Sequence, residues 1–134
     1  MKAIKEKTNF HFKVNDPIYN VPLIFIVGDK EYYKKHMKNK LDCDYEESQS
    51  MGGETILIVD EKEGSANTIV WIPRLNFSIG NYSTIAHEVL HATFQTLNMI
   101  GVKLDYNNQE PINYYFDYLF GECLDKLIKF YRKK

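Results

Sequence analysis

Cysteine, proline and tryptophan are scarce in this chain: two, four and one among 134 residues. Cys43 sits between two aspartates and Cys123 in an apolar-periodic segment. Without C-x-x-C spacing they form neither a disulfide framework nor a zinc ribbon, so both are expected as reduced thiols. Long hydrophobic runs are missing as well. The longest, Val21 to Val27 with Pro22 inside it, is far too short to cross a bilayer. The first residues, Met1-Lys2-Ala3-Ile4-Lys5-Glu6-Lys7, lack the apolar core of a signal peptide. Neither charge sign is in excess: 17 basic and 18 acidic side chains leave a net charge of −1. That balance argues against nucleic acid or an anionic membrane as a partner. The expectation is a soluble, cytoplasmic protein whose oligomeric state the sequence leaves open. What the chain does have is apolar mass, 44% hydrophobic and 14% aromatic residues. That is enough to bury the core of one domain spanning 1–134.

Val21 to Val27 (VPLIFIV) is a continuous β-branched and aromatic run ended by Gly28-Asp29, the pattern of a buried strand. Asp29 can cap a helix from Lys30 to Leu41 with a solvated face. Asp42 to Gly53 is acidic, polar and ends in two glycines, which predicts a loop. Glu54 to Asp60 and Ala66 to Pro73 then read as two strands of a hairpin, the second ending at Pro73 or lying at a sheet edge. Asn81 or Ser83 can cap a helix running to about Met99, which Gly101 stops. A long final helix follows from about Gln109 to Arg132, with Pro111 tolerated in its first turn. Another strand fits around Phe10 to Val14. Strands and helices partly segregated in this way predict an α+β domain, a small mixed sheet packed on the last two helices.

Chemistry concentrates in the first of those two helices, at His87-Glu88-Val89-Leu90-His91. Residues four apart on a helix are offset by about 40° and about 6 Å, so both imidazoles can reach one metal ion. Glu88, about 60° round from His91, lies near such an ion without standing in line with its ligands. It can then take a proton from water that the metal activates. The plainer alternative is two surface histidines and a solvated glutamate. A hydrolytic zinc site takes three protein ligands and keeps one position open. Phe94 and Leu97 occupy the places where a longer H-E-x-x-H-x-x-G-x-x-H pattern has its glycine and third histidine. The candidates for a third ligand are therefore Glu110 in the first turn of the last helix, then Asp105 in the connecting loop and Asp117 further along. His11 and His36 precede the motif without an evident path to it.

The segments Ile85 to Ala92 and Glu110-Pro111-Ile112-Asn113-Tyr114 resemble the zincin metallopeptidases of the gluzincin type, most of all small single-domain zinc peptidases encoded by phages and prophages. The resemblance implies a minimal zincin-like domain that binds Zn2+, with His87, His91 and Glu110 as ligands and Glu88 as general base. Gln109 and Tyr114 stand where larger gluzincins have Asn and Asp, so Asp117 or Asn113 would have to support a ligand imidazole. Gly121-Glu122-Cys123-Leu124 faintly resembles a peptide deformylase segment. In that family the cysteine ligand precedes the motif, and here Cys123 falls in the apolar stripe of the last helix.

The expected activity is hydrolysis of a peptide or protein substrate. Tyr114, one turn beyond Glu110, is the first candidate for donor to the developing oxyanion, with Tyr118 the second. Asn67 to Ile72 is the expected edge on which an extended peptide would pair. Trp71, in that strand, either lines the cleft or is buried. The competing expectation is a zincin-fold protein without turnover, serving in phage assembly or host interaction.

Overall fold

The computed structural model describes residues 8–41 and 52–133, with the side chains of 39–41 excepted. Cys43 and most of the expected 42–53 loop therefore lie outside the described residues. In chain order the elements are β1 (Phe10–Val14), β2 (Leu23–Val27), α1 (Lys30–Leu41), β3 (Glu54–Asp60), β4 (Ser65–Ile72), α2 (Ile79–Met99), a 3-10 turn (Tyr106–Asn108) and α3 (Gln109–Arg132). The fold is α+β. Its four strands form one mixed sheet in the order β1-β2-β4-β3. The β2–β4 pair is parallel, and β1 and β3 flank it antiparallel.

Helices cover both faces of this sheet, which explains why β2 reads as an unbroken apolar run. Leu23, Phe25 and Val27 of β2, with Val70 and Ile72 of β4, enter the core shared with α2 and α3. The alternate residues Ile26, Ile69 and Trp71 pack beneath Tyr33 and Met37 of α1. Trp71 is thus a core residue. Its ring stacks on Tyr33 with centroids 4.7 Å apart, and its indole N–H donates to the Gly28 carbonyl at 2.7 Å. The strand it belongs to is central, not an edge: β4 has β2 on one side and β3 on the other. Pro73 ends the strand, as its missing N–H requires.

The ends of α2 depend on side chains that periodicity does not reveal. Ser78, rather than Asn81 or Ser83, is the N-cap, accepting from the Asn81 N–H at 3.1 Å. The Asn81 side chain instead fastens the preceding loop. Its Oδ1 accepts from the Asn76 and Phe77 N–H groups, and its Nδ2 donates to the Arg74 carbonyl. Gly101 closes the helix at φ +90°, with the Val102 N–H donating back to Leu97. α3 then returns antiparallel, so that Tyr131 near its end meets Phe77 ahead of α2 at 5.1 Å between ring centroids. Cys123 is fully buried in the stripe of α3 that meets this core, and burial pushes its thiol up, away from thiolate. Among the described residues, no helix is long and apolar enough to cross a membrane.

One polar anchor has no counterpart in the sequence pattern. Asp16, 5% exposed, accepts from the N–H groups of Ile18, Tyr19 and Val21 and from the Tyr115 hydroxyl at 2.8 Å. A buried carboxylate with four donors ties the β1–β2 connection to α3. Burial and the Asp16 charge both push the Tyr115 hydroxyl far up. Tyr115→Phe removes one donor from that carboxylate and is expected to cost about 1.5–3 kcal/mol in urea unfolding at neutral pH. A tyrosine whose folded pKa is raised stabilises fully below its unfolded value of about 10 and loses that contribution as pH climbs above it. Wild type should therefore lose stability in that alkaline window by more than Tyr115→Phe does.

Candidate metal centre

α2 carries the His87–His91 pair on its exposed side while Ile85, Val89 and Ala92 enter the core. The spacing does what helical geometry predicts. The two Nε2 atoms stand 3.2 Å apart, with the rings nearly perpendicular at a centroid separation of 4.7 Å. Two nitrogens on one tetrahedral zinc ion, each about 2.0–2.1 Å from it, are about 3.3–3.4 Å apart. The gap therefore fits a metal ion with almost no movement. The same distance also suits a hydrogen bond from one ring to the other. A Glu88 carboxylate oxygen completes a group whose ligand atoms all lie within 4.8 Å of one another.

Glu88 differs from its two neighbours in being buried, at 5% exposure. The start of β3 covers it. Gly53 precedes that strand at φ +141°, and a Cβ there would meet the Trp71 carbonyl oxygen at 2.8 Å and Glu88 Cγ at 3.3 Å. Only glycine lets the chain pass so near the carboxylate in this backbone region. The strand is then stapled to α2 at Glu88 and Gln95. The Thr55 hydroxyl donates to the Glu88 carbonyl at 2.9 Å, and Gln95 Nε2 donates to the Thr55 carbonyl at 3.2 Å. Glu54, beside Thr55, accepts from the Tyr33 hydroxyl at 2.8 Å.

The electrostatics follow from this placement. Burial raises the Glu88 pKa above its ordinary value; His87 and His91 pull it back, Glu54 raises it further and the Thr55 hydroxyl lowers it. Desolvation is the largest of these effects. A carboxyl group tuned upward is a better proton acceptor than an exposed one, as general-base work near neutrality requires. An open cleft of ≈ 290 Å³ gives access, lined by Gly52, Gly53, Ser83, Thr84, His87 and Glu88.

The remaining residues singled out in the sequence are not brought here. Glu110 is exposed at the head of α3 and stands outside the His87–Glu88–His91 group. Tyr114 is 71% exposed and does not line the cleft. Asp105, Asn113 and Asp117 are exposed, and Asp105 caps the 3-10 turn by accepting from the Asn107 N–H. The Tyr118 hydroxyl donates to the Asn15 carbonyl, near β1. The cause is helix length. α2 continues to Met99, two further turns past His91, before the chain reverses. Tyr115, one turn and more beyond Glu110 on α3, interacts with Thr96 near the end of α2. Among the described residues, no third histidine, cysteine or carboxylate joins the two imidazoles and Glu88.

Thr55, Gln95 and Gly53 leave little trace in the sequence because each acts through a partner distant along the chain. The Gly52-Gly53 pair directly ahead of a strand is the available signal for the last of them. Compared with protein-family models, curated proteins and solved structures, the chain matches none. Geometry alone therefore bears on the site. It predicts that Glu110→Ala, purified without a tag, carries the same metal content as wild type by elemental analysis. Loss of metal from that variant would return the third ligand to the head of α3.

Proposed function

We propose that the chain is a zinc-dependent peptidase of minimal zincin type, with His87 and His91 holding the ion beside a third ligand that the described residues do not bring to it, and Glu88 as general base. One observation carries the reading: two imidazole nitrogens 3.2 Å apart with a buried carboxylate beside them. Imidazole ligands suit zinc among the common divalent ions, and the bound ion would supply Lewis acidity to a water and to a carbonyl oxygen. The protein's own contribution is the proton path. Glu88, partly withdrawn from solvent, takes a proton from the attacking water and passes it to the leaving amine.

The sheet supports a peptide as the substrate. β3, not β4, is the edge strand on the side of the site, and among the described strands it pairs only with β4. Its first residues adjoin Glu88 through Gly53 and Thr55. An extended peptide adding to β3 by main-chain pairing would present its backbone to the cleft. With Tyr114 away from the cleft, Ser83, one turn before His87 and in the cleft lining, takes its place as candidate donor to the oxyanion.

The two-imidazole set favours one other reading, a zincin-like binding or assembly protein without turnover. Glu88→Gln separates the two. In a peptidase this variant retains metal and binds peptide, and cleavage of a mixed peptide library falls by about 100-fold or more. Equal cleavage by wild type and variant would remove Glu88 from the chemistry. Peptide binding by metal-loaded wild type with no cleavage at all would leave the binding protein.

A further inference from the structure

On the opposite face of the sheet, a second pair of imidazoles comes from two elements distant in the chain. Phe10, Phe12 and Val14 of β1 point toward α3. By strand alternation His11 therefore points the other way, to the side of α1. There its ring lies 4.4 Å from that of His36, centroid to centroid, at an interplanar angle of 57°. The corresponding separation in the His87–His91 pair is 4.7 Å. Tyr32, one turn before His36 on α1, places its hydroxyl 3.1 Å from His11 Nδ1, and its ring centroid is 6.3 Å from that of His36.

We propose that His11 and His36 form a second transition-metal site that clips α1 to β1, with Tyr32 orienting the His11 ring. A ligating imidazole usually gives its other ring nitrogen to a hydrogen-bond partner, which sets the tautomer. Tyr32 engages Nδ1 of His11 in this way and leaves Nε2 for the ion. Burial holds the Tyr32 hydroxyl above its ordinary pKa, so the phenol acts as a hydrogen-bonding partner and not as a phenolate ligand. Two imidazoles select copper, nickel or zinc ions over magnesium or calcium. Lys13 shares the His11 face of β1 by the same alternation, so coordination and not charge attraction must hold the ion. Such a clip would add to the packing of Tyr33 and Met37 that seats α1 on the sheet.

The site is independent of the proposed catalytic centre, and the test keeps them apart. Untagged His87→Ala/His91→Ala protein, which lacks the α2 pair, is titrated with Cu2+. The expected result is one ion per chain, an electron paramagnetic resonance spectrum showing nitrogen coupling, and a higher melting temperature with Ni2+ present. His11→Ala, at an exposed position, should remain folded by circular dichroism and lose all three effects. Tyr32→Phe should bind about 10-fold or more weakly. No bound copper in the double variant, or binding unchanged by His11→Ala and by His36→Ala, would overturn the proposal. Should the double variant fail to fold, the comparison moves to wild type, expected to bind two ions, and His11→Ala, expected to bind one. Equal stoichiometry in those two proteins refutes the second site.

Discussion

A carboxylate withdrawn from water beside two imidazoles is the arrangement around which α2 and β3 are organised. Burying Glu88 costs free energy unless nearby groups offset it. His87, His91 and the Thr55 hydroxyl offset part of that cost, and desolvation remains the largest effect. The start of β3 passes beside the carboxylate at position 53, where the Trp71 carbonyl oxygen and the positive φ require glycine. Gln95, Thr55 and the Glu88 carbonyl fasten that approach. Strand edge, base and imidazoles therefore form one rigid unit, built on elements rather than on loops.

The rest of the fold supports this unit from two sides. β4 lies at the centre of the sheet, between β2 and β3, and Trp71 locks it to α1 through Tyr33 and Gly28. On the other face α3 is anchored by the Asp16 carboxylate through Tyr115. Glu110, at the exposed head of α3, stands outside the His87–Glu88–His91 group.

Much of the fold is legible from local patterns. The span of α1, the β3–β4 hairpin and the long α3 follow from capping residues, turn chemistry and apolar periodicity, and the structure has them where the sequence places them. The His87–Glu88–His91 cluster is legible for the same reason, since spacing along one helix fixes relative geometry without tertiary information. Local pattern misleads where partners are distant in sequence. Asn67 to Ile72 reads as an edge open to a peptide, yet the parallel pairing of β2 with β4 makes that strand central. Asn81 looks like a helix cap, and its amide serves the loop before the helix. Glu110 follows a short connection, but two further turns of α2 separate it from the site. Asp16, followed by Pro17, signals a local turn, and nothing near it in the sequence points to Tyr115 as its partner.

The most direct test of the account is anomalous diffraction from crystals of untagged protein grown with Zn2+. A strong peak is expected about 2.0–2.1 Å from Nε2 of both His87 and His91, with the Glu88 carboxylate beside it but outside the coordination sphere. Crystals grown in excess zinc that show no peak between those rings, with the imidazoles simply hydrogen-bonded to each other, would contradict it.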